Sequence, residues 1–178
     1  ITPKTKMLIL CNPSNPTGSA YSKKELEALA KIVLKNNFYV LSDEIYEKLV
    51  YDDFEFISFA SLDPEMKKKT MLVNGISKTY AMTGWRIGYT AGPENIVNAI
   101  NKIQSHTTSH ASSISQHAAI EAVAGPQYVI HEMLDEFRNR REYFYNELTS
   151  IKGITCYKPE GAFYLFPNIS RYLHTKSD

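Results

Sequence analysis

The fold is decided by a short stretch near the middle of the chain, Thr70-Met71-Leu72-Val73-Asn74-Gly75-Ile76-Ser77-Lys78. Its first four residues form an apolar run of strand length, and polar residues and a lysine follow at once. Short apolar runs bounded by turn residues are typical of strands inside a sheet. The stretch therefore predicts a buried strand that carries an amine, on Lys78, to one end of a sheet.

Two similar apolar runs lie upstream of this strand. Met7 to Cys11 and Phe38 to Leu41 have the same character, and we expect the first to be buried on both faces. A helix is predicted between them, because Ser22 to Glu25 form a capping box. The apolar residues that follow share one helical face: Leu26, Leu29, Ala30 and Val33. This alternation of strand and helix predicts an α/β fold with a mostly parallel sheet.

The rest of the chain is predicted to be helical and then to form two short strands. Proline and glycine mark most of the boundaries, since proline favours helix starts and glycine favours helix ends. The predicted elements are a helix from Pro93, a loop over Gln104 to Ser113, a helix from Ser115 to Ala124, a long helix from Pro126, and strands at Ile154 to Tyr157 and Ala162 to Phe166. The long helix is expected to lead into a second, smaller domain.

Composition limits the possible partners and compartments. Twenty basic and nineteen acidic residues leave a formal charge of +1, so no overall field attracts nucleic acid or a membrane surface. The apolar runs are too short to span a bilayer. Cys11 and Cys156 lie far apart without metal-ligand or redox spacing, which favours a reduced, cytoplasmic protein. We therefore expect no nucleic-acid partner and no membrane association.

Polar side chains follow each of the three strands predicted in the first half. Asn12 to Gly18 follow the first strand, Ser42 to Tyr46 the second, and Asn74 to Lys78 the third. Ligands of open α/β sheets lie beyond the carboxyl ends of the strands, where such loops converge. The sequence thus predicts that an amide, a carboxylate, a phenol and an amine meet at one sheet edge. This set suits an aldehyde cofactor with a pyridine ring.

Each of these groups has a role that its chemistry supports. The Lys78 amine can attack an aldehyde carbon, and the Arg86 guanidinium can fork onto a phosphate. The Asp43 carboxylate can keep a pyridine nitrogen protonated, and the Asn15 amide can donate to a phenolic oxygen. Tyr46 is expected on the same helical face as Asp43, three residues away. A structural alternative is that Asp43 caps the helix that carries Tyr46.

These residues resemble the class I and II aminotransferases of the fold-type I pyridoxal-5′-phosphate (PLP) enzymes. Residues 75–88 fit the PLP-attachment signature of that family at each constrained position. Residues 12–18 and 42–46 fit its Asn-Pro-x-Asn-Pro-Thr-Gly and Ser-Asp-Glu-x-Tyr segments in order and spacing. Pro159 to Tyr164 resembles a strand of its small domain. Residues 81–89 look most like the bacterial-type aspartate aminotransferases.

The resemblance implies a role for each candidate residue. Lys78 would form the Schiff base with PLP and later carry the proton of the substrate Cα, while Asp43 would pair with the pyridine nitrogen. Tyr46 and Asn15 would hold the phenolic oxygen, and Ser77 and Arg86 the phosphate. The implied catalytic residues are Lys78, Asp43 and Tyr46, and the cofactor-binding set is Asn15, Asp43, Tyr46, Ser77, Lys78 and Arg86.

The resemblance also implies a fold and an activity. Residues 1–125 would form the C-terminal part of a three-layer αβα PLP-binding large domain, and residues 126–178 the linking helix and the start of an α+β small domain. The expected reaction moves an amino group between an L-amino acid, plausibly aspartate, and a 2-oxo acid. The family builds its active sites at a homodimer interface, so a homodimer is expected.

Other interpretations remain open from the sequence alone. The same cofactor-binding residues serve β-lyases and synthases, and related domains act as PLP-binding effector domains of transcription regulators. His106 and His110 are four residues apart, but the sequence shows no third metal ligand, so no metal site is predicted. The family's glycine-rich phosphate-binding helix start and its substrate arginine do not occur in this sequence. We therefore expect the chain to be a fragment with little or no transaminase activity by itself, and its open sheet edges to promote association.

Overall fold

The structure is a computed structural model, and it describes residues 1–173 of the chain. Helices and strands alternate at first, and helices dominate later. The strands are β1 (Met7–Cys11), β2 (Tyr39–Asp43), β3 (Thr70–Gly75), β4 (Gly88–Ala91), β5 (Thr155–Cys156) and β6 (Pro167–Asn168). The helices are α1 (Lys23–Asn36), α2 (Pro64–Lys67), α3 (Glu94–Thr107), α4 (Ser113–Ala124) and α5 (Tyr128–Ser150). Within these residues no helix is long and apolar enough to cross a membrane.

The main sheet has four strands in the order β1-β2-β3-β4. β1, β2 and β3 are parallel, as the sequence predicts, whereas β4 runs antiparallel to β3 and was not predicted. In the parallel part Cys11 lies opposite Asp43, and Asp43 lies opposite Val73. β1 and β2 therefore end at the same level, β3 continues two residues further to Gly75, and the loops that leave the three strands begin at the same edge of the sheet.

α1 covers one face of the sheet and builds the main core. Its capping box forms as predicted: Ser22 Oγ accepts from the Glu25 N–H at 3.4 Å, and the Glu25 carboxylate accepts from the Ser22 N–H at 2.8 Å. The buried residues of this core come from β1, α1, β2 with the residue just before it, and the segment before β3: Leu10, Leu26, Ala30, Val33, Phe38, Val40, Phe59 and Met66. Burial of this apolar face is what holds the helix on the sheet, because a helix of this length is marginal alone.

The expectation that β1 is buried on both faces is wrong. Leu8 and Leu10 turn towards the core under α1, but Ile9 is 72% exposed and Met7 is 41% exposed. Successive side chains of a strand point to opposite faces, and within residues 1–173 the face that carries Ile9 stays largely uncovered. β1 is therefore half-buried here, and it lies at an edge of the described sheet.

The loop predicted over Gln104 to Ser113 is shorter than expected. α3 continues to Thr107, so the connection to α4 is limited to residues 108–112. Ser105 Oγ donates to the carbonyl of Lys102 at 2.8 Å, and Thr107 Oγ1 donates to that of Ile103 at 3.2 Å. Such bonds to the preceding turn satisfy small polar side chains inside a helix. Polarity therefore did not mark the helix end.

The strand predicted over Ala162 to Phe166 does not form. β6 lies further on and pairs with β5, while Gly161 makes an isolated bridge to Val50. Ala162 has a φ of 56°, a left-handed conformation that a strand does not contain. The N–H groups of Gly161 and Ala162 instead donate to the carbonyls of Gly18 and Leu49, at 2.9 and 2.8 Å. The segment thus bonds to loops of the main sheet rather than to a neighbouring strand.

Candidate active site

Three loops meet at the carboxyl edge of the parallel strands. The Asn12 N–H donates to the carbonyl of Asp43 at 3.0 Å, and the Glu44 N–H donates to that of Val73 at 2.9 Å. These bonds extend the strand pairing by one residue into the loops, so the loops begin in contact. The prediction that the residues after the three strands lie at one sheet edge is confirmed by this geometry.

The loop after β1 is held from inside by its own polar groups. Asn12 is buried, and its Oδ1 accepts from the Tyr21 N–H at 2.9 Å. The Gly18 N–H donates to the carbonyl of Ser14 at 2.8 Å, which closes the loop. Asn15 lies at the exposed tip, and its Nδ2 donates to the Tyr164 hydroxyl at 3.3 Å. Asn15 is thus the side chain of this loop that reaches the neighbouring segment.

Tyr46 lies in a turn, not on the helix that the sequence suggested. The N–H groups of Glu47 and Leu49 donate three residues back, to the carbonyls of Glu44 and Tyr46, at 2.9 and 2.8 Å. Asp43 Oδ1 accepts from the Ile45 N–H at 3.2 Å, which stabilises a turn at this point. Asp43 therefore stabilises a turn, and the structural alternative that it caps a helix is wrong, because residues 45–48 form a turn.

The Tyr46 phenol is buried, with 2% of its surface exposed. Burial raises the pKa of this phenol far above its usual value. The neighbouring Asp43 carboxylate acts in the same direction, because a second negative charge nearby is unfavourable. Tyr46 is therefore a neutral hydrogen-bonding group over the whole physiological pH range.

The buried Glu44 carboxylate stabilises the same turn through its hydrogen bonds. Its Oε1 accepts from Ser42 Oγ at 2.8 Å, Ser58 Oγ at 3.0 Å and the Phe59 N–H at 3.1 Å. Its Oε2 is buried and has no hydrogen-bond partner among the residues that the structure describes. Burial raises the pKa of this carboxyl group above its usual value. Glu44 therefore supports the turn structurally.

Lys78 lies beside Tyr46, one turn after β3. Its Nζ is 5.9 Å from the centre of the Tyr46 ring and 5.6 Å from the centre of the Phe163 ring. The Lys78 side chain is half-buried. An ammonium group within about 6 Å of a ring centre is attracted by the negative face of the ring. The amine and the phenol are therefore brought together as the sequence predicts.

The placement of Ser77 and Arg86 gives their predicted roles less support than the placement of the other candidate residues does. Ser77 adjoins Lys78 and is half-buried, whereas Arg86 is exposed and has a φ of 51°. Arg86 Nη1 donates to the carbonyl of Thr83 at 2.9 Å, and within residues 1–173 it makes no hydrogen bond to another candidate residue. The phosphate-binding roles of these two residues stay predictions.

Two aromatic residues of the site were missed by the sequence reasoning. The hydroxyls of Tyr164 and Tyr46 are 2.6 Å apart, and Phe163 packs edge-on to the Tyr46 ring at 5.4 Å. Phe163 also stacks on Phe137 of α5 at 5.3 Å. The sequence signal for this pair is weak, because two aromatic residues after Gly161 and Ala162 look like part of a strand.

The side chains present fit a phosphorylated pyridine aldehyde by type. An amine for the aldehyde, a carboxylate for the ring nitrogen, and a phenol and an amide for the phenolic oxygen lie on neighbouring loops of one sheet edge. A metal site has no such support in the part of the chain that the structure describes. There, no group of three histidine, cysteine, aspartate or glutamate residues converges, and His110 Nδ1 lies 2.8 Å from the carbonyl of Ala111.

A mostly parallel sheet with these side chains on the loops at its carboxyl edge is the large-domain architecture of the fold-type I PLP enzymes. Within that class, the chain belongs to the aminotransferase class I and II family, whose sequence model matches residues 1–177. The resemblance noted from the motifs is thereby confirmed.

Individual relatives agree with this assignment. An aspartate aminotransferase of Geobacillus stearothermophilus is 50% identical over 168 residues, which cover 94% of this chain and 43% of that protein. The crystal structure of an aspartate aminotransferase from Rhizobium meliloti matches with a TM-score of 0.92 and 46% identity, over 94% of this chain and 42% of its own. An aromatic aminotransferase from Pyrococcus horikoshii matches with a TM-score of 0.91 and 41% identity, over 95% and 45%. The chain spans less than half the length of each of these proteins.

Proposed function

We propose that this chain supplies the cofactor-binding part of a PLP-dependent aminotransferase that moves an amino group between an L-amino acid and a 2-oxo acid. The observation that carries the proposal is the placement of Lys78 Nζ beside the Tyr46 ring at the carboxyl edge of the sheet. Aspartate is the proposed amino-acid substrate, because the similar proteins from Geobacillus stearothermophilus and Rhizobium meliloti are aspartate aminotransferases.

Six residues would hold the cofactor. Asp43 would pair with the pyridine nitrogen, Tyr46 and Asn15 would bind the phenolic oxygen, and Ser77 and Arg86 would bind the phosphate. Lys78 would join the aldehyde carbon. When bound, PLP supplies an electrophilic carbon and a protonated ring that withdraws electrons.

The protein's own groups would move the substrate proton. The Lys78 amine, once displaced by the substrate amine, would act as a general base and take the proton from the substrate Cα. Its flexible stem would let it return the proton to a different carbon, because Nζ lies at the end of four methylene groups. The Tyr46 and Phe163 rings beside Nζ would limit access of water to the amine during this transfer.

The domain division, assembly and location are parts of the same proposal. Residues 1–125 would belong to the PLP-binding large domain and residues 126–178 to the linking helix and the small domain. The whole protein would be a homodimer in the cytoplasm. The unpaired cysteines Cys11 and Cys156 support a reducing compartment.

Titration of the purified chain with PLP tests the cofactor role. We expect a visible absorbance band, and after borohydride reduction a pyridoxyl mass on the peptide that contains Lys78. Lys78→Ala should abolish both signals, whereas Lys31→Ala, on the exposed side of α1, should leave them unchanged. Equal labelling of several surface lysines, with no loss in Lys78→Ala, would refute the assignment.

A chimaera tests the activity without relying on the length of this chain. The matched 168 residues of the Geobacillus stearothermophilus relative would be replaced by the corresponding residues of this chain. We expect aspartate to 2-oxoglutarate transamination that Lys78→Ala removes. A chimaera that binds PLP but releases ammonia and pyruvate from amino acids instead would favour a lyase over a transaminase.

A further inference from the structure

The Tyr164 hydroxyl lies between two groups proposed to hold the cofactor. Its oxygen is 2.6 Å from the Tyr46 hydroxyl oxygen and 3.3 Å from Asn15 Nδ2. The two tyrosine rings are edge-on, 5.7 Å apart, so Tyr164 also packs against the phenol that it bonds. Tyr164 is thus a shared partner of side chains that come from two different loops of the sheet edge.

The direction of the hydrogen bonds follows from the number of protons. The Asn15 amide nitrogen can only donate, so the Tyr164 oxygen accepts from it. The Tyr164 hydroxyl can then donate one hydrogen bond, and in residues 1–173 its one other hydrogen-bond partner is the Tyr46 oxygen. Accepting a bond from the amide also makes the Tyr164 hydroxyl a stronger donor. The favoured order is therefore Asn15 to Tyr164 to Tyr46.

This order decides where the Tyr46 proton points. If Tyr164 donates to the Tyr46 oxygen, the Tyr46 proton does not take part in the hydrogen bond between the two phenols. Tyr46 is buried, so that proton needs an acceptor inside the site rather than in bulk water. An anionic oxygen on a bound ring would be such an acceptor.

We propose that Tyr164 is a positioning residue: its hydroxyl joins Asn15 to Tyr46 and directs the Tyr46 proton towards the phenolic oxygen of the cofactor. The second half of this statement rests on the proposed function, whereas the first half concerns the chain alone. Tyr164 acts through Tyr46 and is not assigned a contact with the substrate.

The backbone around Tyr164 is held firmly enough for this role. The Gly161 and Ala162 N–H groups donate to the carbonyls of Gly18 and Leu49, which belong to the loops of Asn15 and Tyr46 respectively. The Tyr51 hydroxyl also donates to the carbonyl of Ala162. Site groups carried on loops need such support to keep their geometry. The segment that carries Tyr164 is therefore tied to both loops that it would connect.

A fluorine probe tests the link without the cofactor. Tyr46→3,5-difluorotyrosine lowers the phenol pKa into an accessible range and gives one ¹⁹F signal to titrate in the 178-residue chain. Tyr164→Phe in this background should raise the pKa of the probe by about 0.5 to 1 unit, the effect of one lost hydrogen bond to a phenolate. Tyr80→Phe is the matched control, because it removes a phenol hydroxyl that bonds to Gln127 instead. An unchanged or lowered pKa in Tyr164→Phe would overturn the proposal.

A spectroscopic titration with PLP tests the direction. Hydrogen-bond donors at the phenolic oxygen draw charge away from the nitrogen that joins Lys78 to the cofactor, so that nitrogen releases its proton at lower pH. Tyr164→Phe should therefore raise the pH midpoint of the visible band by about 0.5 unit, as loss of part of one hydrogen bond requires. A lowered midpoint would mean that Tyr46 had pointed at Tyr164, and no change would mean that Tyr164 is a packing residue; both overturn the proposal.

The two experiments also separate this proposal from the proposed function. If the wild-type chain gives no band with PLP, but the fluorine probe shows the expected shift, the cofactor role fails for this chain while the Asn15–Tyr164–Tyr46 link stands. If the band forms at Lys78 and the probe shows no shift, the function stands and the role of Tyr164 is wrong.

Discussion

Arg141 is a buried cation that bonds to two loops, and its replacement gives a stability prediction that can be worked out from the structure. The side chain is 4% exposed and rises from the middle of α5. Its Nη2 donates to both carboxylate oxygens of Asp52 at 2.8 Å, and its Nη1 donates to the carbonyl of Pro159 at 2.9 Å. The guanidinium also stacks 4.4 Å from the centre of the Tyr51 ring. One residue thus connects α5 to two separate loops.

The magnitude can be worked out contact by contact. A charge-assisted bond to a buried carbonyl contributes about 1.5 to 3 kcal/mol, and a shielded cation–π contact about 1 to 2 kcal/mol. Arg141 Nη2 also donates to the Glu142 carboxylate at 2.7 Å, and the side chains of Asp52 and Glu142 are 57% and 39% exposed. Each of these two ion pairs therefore adds about 0 to 1 kcal/mol. Among residues 1–173, Arg141 Nε is buried without a hydrogen-bond partner, and this desolvation cost offsets about 1 to 3 kcal/mol of the stabilisation. Taken at the middle of each range, these contributions predict that Arg141→Ala lowers the free energy of unfolding by about 2 to 3 kcal/mol.

Urea unfolding followed by circular dichroism measures this change. With a slope of about 2 kcal/mol per molar urea, the midpoint should fall by about 1 to 1.5 M. The matched control is Arg140→Ala, one residue earlier, where an exposed pair with Glu136 contributes less than about 0.5 kcal/mol. A difference of less than about 1 kcal/mol between the two variants would refute the reasoning, because burial and stacking would then contribute nothing.

Three further predictions follow from single contacts. Glu44→Gln should become more stable relative to the wild type as the pH rises from 4 to 7. Burial raises the pKa of Glu44 in the folded state, so the wild type loses folding stability as this carboxyl group ionises, whereas the glutamine variant does not. Thermal unfolding across this pH range measures the trend, and parallel curves for the two proteins would contradict it. Ser22→Ala should lower the free energy of unfolding by about 1 kcal/mol, because the Ser22 side chain caps α1. Ser112→Ala should lower it by less than about 0.3 kcal/mol, because in the described structure the Ser112 side chain makes no cap hydrogen bond to α4. Gly18→Ala should lower the free energy of unfolding by more than about 2 kcal/mol, since φ is 70° and a β-carbon would lie 2.5 Å from a proline ring carbon. A β-carbon at Gly84 would meet no atom of the described residues within 4 Å, so Gly84→Ala should be nearly neutral in the same denaturation assay.

Local signals account for the parts of the fold that the sequence predicts. The capping box of Ser22 and Glu25 and the apolar runs of β1, β2 and β3 are short-range features, and each forms where expected. Parallel pairing then follows from the alternation of strand and helix. β4 was missed because Gly88–Ala91 has no distinct apolar run, and its pairing with β3 depends on contact with a strand that is already placed.

Long-range contacts explain the parts that were predicted wrongly. Ala162 to Phe166 has the composition of a strand, but the backbone there bonds to loops that lie far away in the sequence. Tyr46 sits in a turn rather than a helix, because Asp43 and Glu44 are engaged by the turn and by the segment at Ser58. In each case local propensity favours one conformation and tertiary contacts impose another.

In the candidate site, too, some contacts follow from local sequence and others from long-range packing. Asn15, Asp43 and Lys78 follow strands directly, so their meeting at one edge follows from the parallel topology. Tyr164 joins them through a hydroxyl pair that spans 118 residues of sequence, and no periodicity or spacing encodes such a contact. A motif predicts which residue types would hold the cofactor, whereas the packing of a distant segment would set the direction in which their protons point.

This dependence makes the stability of α5 relevant to the chemistry of the site. Arg141 holds the carbonyl of Pro159, and the backbone from Gly161 to Ala162 then bonds to the loops of Asn15 and Tyr46. A loosened Arg141 contact would therefore release one end of the segment before it disturbed the sheet. In Arg141→Ala, the fluorine probe at Tyr46 should shift in the same direction as in Tyr164→Phe, but by less, because the Tyr164 hydroxyl would still reach its partner part of the time. A full-sized shift would mean that the segment has detached completely, and no shift would mean that the loop bonds alone position Tyr164.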